Sequence, residues 1–475
     1  MGEEDFGLYN LIAGIIVLLS FINGALMISS QRYFSISIGE RNHSQLEKYF
    51  NASLGVHILL GIFLFIFLLS IKNILFESVL NISTEKITIG KAVYDIMITS
   101  AFVTISTIPF SAIMNAKEDM VYHAFCDIVA CILRLIAAIV LLFIDKNLLL
   151  IYTLLILCSL VLKFLMEALW DINRYKEIKI KTPLLFNRLL YKEMLGFIGW
   201  NTLGSFAVVV RNQGVAVILN SFFGTIINAA YGIANQVNAL ILSFASTLTT
   251  VFTPMIIQAK GEGNEKKMIS TAIFSSKMSF FLSSLMALPI LIYLDDILSL
   301  WLGDYPDHTK NFCFYIILSF LSMQVYPGIN RAIYATGKIK NYQIWISLLL
   351  VSILPVGIIL FKLGLYSDSI MIVMLISQLL TIIPTIYYAR KYANLDAKRF
   401  VKDSVMKPFA IFIISLSTSF FVQNEYYLKE YIILKFTAVL IIFLLYSYIY
   451  YICVFSEEEQ NILKTIKNKS KLKKS

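Results

Sequence analysis

Apolar runs of about 20 or more residues follow one another almost from end to end, each long enough to cross a roughly 30 Å hydrocarbon core. They cover residues 8–38, 50–71, 88–113, 119–143, 148–169, 194–220, 223–257, 268–293, 308–328, 341–361, 366–389, 406–422 and 430–453. At that depth no water satisfies the backbone, so the chain must close its hydrogen bonds within helices or a sealed barrel. Runs of this length select helices. The pattern predicts an all-α fold: a polytopic membrane bundle of about thirteen transmembrane helices. At 475 residues, three soluble domains would be the default. With 58% hydrophobic residues and only short loops between the runs, there is no room for one.

The formal net charge of +10 raises nucleic acid as a partner, and the distribution of the charge removes it. With the N-terminus outside and the spans alternating, one inside loop collects Arg174, Lys176, Lys179, Lys181, Arg188 and Lys192. A second collects Arg390, Lys391, Lys398, Arg399, Lys402 and Lys407, and the tail adds Lys464 to Lys474. This is a positive-inside bias that sets the C-terminus in the cytoplasm. The expected partner of these loops is anionic membrane lipid. Cys126, Cys131, Cys158, Cys313 and Cys453 fall within spans without a CxxC pair, so they read as small buried hydrophobes. His43, His57, His123 and His308 are scattered, and neither a metal nor a cofactor is expected. The acidic opening M-G-E-E-D lacks the basic start of a cleavable signal.

The inside segments 170–193 and 390–407 are the longest. They divide the chain into an N-lobe (1–193, five spans), a C-lobe (194–405, six spans), a peripheral helix pair (406–453) and a basic tail (454–475). A weak internal repeat supports two pseudo-symmetric lobes: one shift superposes Tyr9 on Tyr231, Gly39 on Gly261, Glu40 on Glu262 and Asn42 on Asn264. The unequal lobes imply a fold of fourteen helices whose first helix would precede Met1.

Polar residues at membrane depth are expensive and mark candidate function. In span 194–220, Asn201, Ser205 and Asn212 fall within about 40° on a helical wheel, flanked by Arg211 and Gln213. In span 223–257, Asn228, Tyr231, Asn235, Asn238 and Thr249 form a second stripe, with Gln236 beside it. Interhelical hydrogen bonding alone explains the amides equally well. Arg211 favours a wet cavity, because no acidic residue lies near it in these two spans. Span 119–143 carries His123, Asp127, Cys131 and Arg134 on one face, with Asp127 and Arg134 about 10 Å apart along the axis. Arg134 is expected to face the cavity, snorkelling being the alternative, and Asp127 is the carboxylate expected to couple an ion. Gln31 and Arg32 sit in the inner third of span 8–38, where Arg32 either snorkels or meets substrate. Lys163, Lys277 and Lys435, near span ends, read as snorkelling anchors.

Three segments carry a resemblance: G-E-E-D-F-G-L-Y-N-L (Gly2–Leu11), S-S-Q-R-Y-F-S (Ser29–Ser35) and I-L-N-S-F-F-G-T-I-I-N-A-A-Y-G-I-A-N-Q-V (Ile218–Val237). The chain resembles the polysaccharide-transporter family, the O-antigen and capsule repeat-unit flippases of the multidrug/oligosaccharidyl-lipid/polysaccharide flippase superfamily. The resemblance implies two lobes around a central cavity in a bacterial cytoplasmic (inner) membrane. It also implies alternating-access flipping of undecaprenyl-diphosphate-linked oligosaccharide for O-antigen, capsule or exopolysaccharide synthesis, beside polysaccharide polymerase machinery. A cation-coupled multidrug exporter of the same superfamily is the rival reading, and would want acidic rather than Arg-rich lining. A membrane-embedded polymerase or acyltransferase would need a large outside loop or a catalytic histidine in polar company. Neither is visible, so no enzymatic activity is expected.

Overall fold

The computed structural model describes residues 3–17, 20–80, 82–144, 147–181, 188–424, 432–461 and 463–464. Among these there is no strand, and every expected span is mainly helical. The helices are α1 (Glu3–Val17), α2 (Ser20–Gly39), α3 (His43–Ile74), α4 (Thr84–Ala116), α5 (Met120–Val140), α6 (Leu148–Arg174) and α7 (Arg188–Gly261). They continue as α8 (Glu265–Ile292), α9 (Leu294–Leu302), α10 (Thr309–Met323), α11 (Pro327–Ala335), α12 (Lys340–Val351) and α13 (Ile353–Lys362). The last are α14 (Asp368–Leu380), α15 (Ile382–Ala393), α16 (Ala397–Phe400), α17 (Lys407–Asn424) and α18 (Ile432–Cys453). Among the described residues nine helices are long and apolar enough to cross a membrane, ten if the bent pair Thr309–Met323 and Pro327–Ala335 is one span. The protein is a multi-pass, all-helical membrane protein. Most of the basic tail lies outside the described residues.

By contact the chain forms two compact units, Met1–Val209 with Gly261–Gly263, and Val210–Lys260 with Asn264–Ser475. The boundary falls inside the expected span 194–220. α7 runs through two expected spans and breaks at Gly224, whose positive φ leaves the helical region for a conformation open to glycine.

In the first unit, Leu8 and Ile12 of α1 pack with Leu68, Val93, Tyr94, Ile98 and Leu149 from α3, α4 and α6. Burying each such side chain contributes about 1.5–3 kcal/mol against water, but lipid gives the same reward, so polar contacts must fix the pairing. Tyr94 donates to the Leu68 carbonyl at 3.0 Å, Ser30 pairs with Ser53 at 2.8 Å, and Lys86 reaches Asp5 at 2.5 Å.

The proposed repeat has a local structural counterpart. Asn42 accepts from the Gln45 amide at 3.0 Å and Asn264 from the Lys267 amide at 2.9 Å. Each is the N-cap of the returning helix. Each follows a left-handed residue, Arg41 (φ 52°) or Gly263 (φ 70°).

In the second unit, α17 and α18 pack against α8. Lys277 is buried and meets Glu459 at 2.8 Å, while Tyr450 donates to the Lys277 carbonyl at 2.9 Å. Lys277 is therefore not the snorkelling anchor expected of it. Lys163 is not one either: it pairs with Asp127 and lies 3.6 Å from Glu167. The side chain of Lys435 lies outside the described residues.

Candidate functional site

The second unit holds a cluster of arginine, tyrosine and amide groups built on a broken span. Pro327 opens α11 at its first position, where a missing N–H costs nothing, and it displaces Tyr326 from helical geometry. α10 and α11 consequently meet at a 43° bend. The amides freed at the break are taken up by α8. Gly328 and Ile329 donate to the Ser276 hydroxyl at 3.1 and 3.4 Å. Gly328 also lies so close to α8 that a Cβ there would sit 2.1 Å from the Ala272 carbonyl oxygen.

The bend brings Tyr326, Asn330, Arg331 and Tyr334 to one place. The Tyr326 hydroxyl meets Thr381 at 2.8 Å and accepts from Gln378 at 2.7 Å, while Gln343 donates to the Tyr334 hydroxyl at 2.8 Å. Tyr342 meets Thr385 at 3.3 Å. The Arg331 guanidinium lies 5.6 Å from the Tyr334 ring centroid and within electrostatic reach of Tyr342. Arg211 of α7 is within electrostatic reach of Tyr231 and of the same Tyr326, and its Nε donates to Asn212 at 3.0 Å. Tyr231 contacts the Asn212 carbonyl at 3.5 Å, and Asn235 donates to the Tyr231 carbonyl at 2.9 Å. Among the described residues no carboxylate forms an ion pair with Arg211 or Arg331. Each guanidinium at membrane depth costs about 2.5–3.5 kcal/mol on insertion scales. A partly desolvated ring face returns about 0.5–2 kcal/mol of that. The remaining deficit suits a wet cavity or an anionic ligand. The buried Asn330 Oδ1 has no partner and adds unfilled polar capacity; Asn238 Oδ1, farther along α7, is likewise unpartnered.

The structure thus gathers Arg211, Asn212, Tyr231 and Asn235, but not every residue expected with them. Gln213 and Gln236 are turned to other faces of α7, Gln213 being exposed. Arg331, Tyr326, Tyr334, Tyr342, Gln343 and Gln378 were missed. Their signal was the polar run Y-P-G-I-N-R-A-I-Y (Tyr326–Tyr334) at the end of an apolar span.

The remaining candidates belong to the first unit. Asn201 is buried and donates to the Ala25 carbonyl at 3.3 Å, a helix-to-helix bond. Arg32 is buried, 4.7 Å from the Tyr33 ring and 5.0 Å from the Phe197 ring, with the Tyr33 and Tyr49 rings stacked at 4.7 Å. Gln31 is also buried, its Nε2 without a partner. Arg134 is exposed on α5 and without a described ion pair. Asp127 is not buried: its side chain is 54% exposed and paired with Lys163. The buried carboxylates of this unit are instead Glu167 and Asp171, one turn apart on α6 and both fully enclosed. Glu167 meets His123 at 3.0 Å and accepts from Ser111 at 2.5 Å. Both Asp171 carboxylate oxygens lack a partner among the described residues.

The MatE family model matches residues 202–361. No curated protein sequence matches the chain. Among solved structures, a MATE point mutant aligns with a TM-score of 0.75 at 14% identity, covering 84% of this chain and 90% of that one. A MOP superfamily transporter from Pyrococcus furiosus, described as having a binding pocket of reverse polarity that suggests a different function, aligns at 0.69 and 15% identity over 83% and 89%. An outward-facing multidrug resistance MATE transporter of the same superfamily gives 0.66 at 15% over 84% and 89%. The chain has the fold of the MATE transporters of the MOP superfamily. None of these matches is to the polysaccharide-transporter family whose motifs the sequence resembles.

Proposed function

We propose that the protein is a transporter working by alternating access, and that its substrate is an anionic, hydroxyl-rich solute: an oligosaccharide linked through diphosphate to a polyprenyl carrier. The observation that carries this reading is the pair Arg211 and Arg331, set among tyrosines and amides with no described carboxylate. Guanidinium forks match phosphate oxygens, and tyrosine, asparagine and glutamine match sugar hydroxyls. A cationic solute would find no counter-charge there. The motifs that resemble the polysaccharide-transporter family support this assignment, which puts the protein in a bacterial cytoplasmic membrane with its C-terminus inside. The pocket of reverse polarity in the Pyrococcus furiosus transporter offers a precedent for changed polarity on this fold.

A second reading, a cation-coupled multidrug exporter, is favoured by the described activity of the multidrug resistance MATE neighbour and by the buried Glu167–Asp171 pair. In either reading that pair replaces Asp127 as the ion-coupling candidate, because a group already paired at the surface has little left to gain from a cation. The test is export of lipid-linked glycan by cells carrying Arg211→Gln or Arg331→Gln at unchanged membrane abundance. Loss of export with accumulation of lipid-linked repeat units inside supports the glycan reading. Normal export by both variants, or extrusion of cationic drugs that both variants retain, would overturn it.

A further inference from the structure

The first unit contains a half-open cavity of about 270 Å³ walled by α1 to α4 and α6. Leu64, Phe65, Met97, Ala101, Phe102 and Ile156 give it an apolar surface. Its few hydroxyls are turned to their own helices: Ser100 donates to the Ile96 carbonyl, Thr104 to that of Ser100 and Thr153 to that of Leu149. Tyr9 also lines it, its ring edge-on to Tyr152 at 5.5 Å. Neither phenol hydroxyl has a hydrogen-bond partner among the described residues. The Arg134 guanidinium is within electrostatic reach of Tyr9.

Arg134 occupies an unusual position. Its helix exposes Ile128, Ile132, Leu135, Ile136 and Ile139, a surface for lipid chains. An arginine there, with no ion pair or hydrogen bond among the described residues, is a cation that an anion from outside the protein would satisfy. An apolar cavity lined by a phenol, with an exposed guanidinium within reach of that phenol, has the polarity of a phosphate-headed lipid. The volume is below the roughly 300–1,000 Å³ of a drug-sized pocket, which suits one hydrocarbon chain. A single guanidinium matches a phosphodiester, whereas the second unit offers two arginines for a diphosphate.

We propose that this slot binds one membrane phospholipid, with an acyl chain inside the first unit and the phosphodiester on Arg134 and Tyr9. The inference does not depend on which solute the second unit carries. It assigns Arg134 to lipid rather than to the transported solute.

The test is native mass spectrometry of the full-length protein in mild detergent, titrated with phosphatidylglycerol or with diacylglycerol bearing the same chains. The expected result is one phosphatidylglycerol retained per chain, about tenfold tighter than diacylglycerol, the increment of one charge-assisted contact. Arg134→Gln should abolish that preference while leaving chain binding, and Arg134→Lys should keep most of it. Ala101→Phe, or Leu64→Trp if that variant does not fold, fills the slot and should weaken both lipids at least tenfold; size-exclusion profile and thermal midpoint verify folding. Equal binding of the two lipids, an unchanged preference in Arg134→Gln, or undiminished binding in the filled variant overturns the proposal. Stronger retention of a polyprenyl diphosphate than of phosphatidylglycerol also overturns it, assigning the slot to the carrier.

Discussion

Gly328 is the place where one added methyl group should separate the architecture of the second unit from its chemistry. A Cβ there would lie 2.1 Å from the Ala272 oxygen, 2.9 Å from the Ala272 carbonyl carbon and 2.9 Å from the Ser275 Cβ. Two of these atoms are backbone and cannot rotate away. Ordinary contact begins at 3.4 Å, so α11 must retreat from α8 by roughly 1.3 Å, an overpacking strain of about 1–3 kcal/mol. The same retreat stretches the bonds from Gly328 and Ile329 to Ser276, at about 0.5–1.5 kcal/mol for a lost hydrogen bond. Gly328→Ala should therefore lower stability by about 2–4 kcal/mol, partly offset by a helix-propensity gain of up to about 1 kcal/mol. A thermal midpoint in detergent should fall by roughly 5 °C or more. Because α11 carries Asn330, Arg331 and Tyr334, transport should fall further than abundance does. Gly232→Ala is the control: nothing lies within 4 Å of its Cβ position, so it should be neutral or slightly stabilising. If Gly328→Ala matched Gly232→Ala in both midpoint and transport, the close approach of α11 to α8 would not be what holds the site.

Other perturbations follow from the same geometry. Ser276→Ala leaves two helix-terminal amides buried without an acceptor and should cost about 1–3 kcal/mol, read as a lower thermal midpoint. Lys277→Met strands Glu459 and should cost up to about 3–5 kcal/mol, while adding Glu459→Met should recover most of it; no recovery would mean the pair is not the relevant contact. Asp171→Asn replaces a buried, unpartnered carboxyl with an amide of the same shape, so the midpoint should hold or rise while ion-driven transport in proteoliposomes falls. Asp127→Asn, at a half-exposed and already paired carboxylate, should alter transport little, and equal loss in both variants would contradict the assignment of coupling to α6.

The helices were legible because a membrane demands about 20 apolar residues in a row, and all thirteen runs are mainly helical where the structure describes them. What hydropathy cannot resolve is continuity and facing. The Pro327–Gly328 step read as the end of a span, yet proline at a helix start costs no hydrogen bond, and the chain continues as α11. Arg331 was hidden by that misreading. Gln213 and Gln236 each lie one residue, or about 100°, from a neighbour in the cluster, and the structure shows that this rotation takes them out of it. Asp127 looked buried because its neighbours are apolar, but on α5 those neighbours face outward. The i, i+4 series Lys163–Glu167–Asp171 on α6 was readable from spacing alone, and was obscured by treating Lys163 as a headgroup anchor.

The chemistry of each unit constrains the function differently. The first unit withdraws two carboxylates from water with only part of their hydrogen-bonding capacity used; the second withdraws two guanidiniums with no described counter-ion. Structural stability explains neither arrangement, because replacing buried charge with packed apolar groups is commonly neutral or stabilising. In an effective dielectric near 20, a unit charge about 6 Å from a guanidinium gains or loses roughly 3 kcal/mol. A cationic solute would thus be disfavoured about a hundredfold at either arginine, and an anionic one favoured by as much. The same arithmetic makes the buried carboxylates places where a proton or small cation relieves charge. On the proposed function, substrate sign and coupling sign are carried by different residues on different units. A loss of coupling through Asp171 should leave the preference for anionic solute intact, and a loss of Arg331 should leave the ion dependence of any residual transport intact.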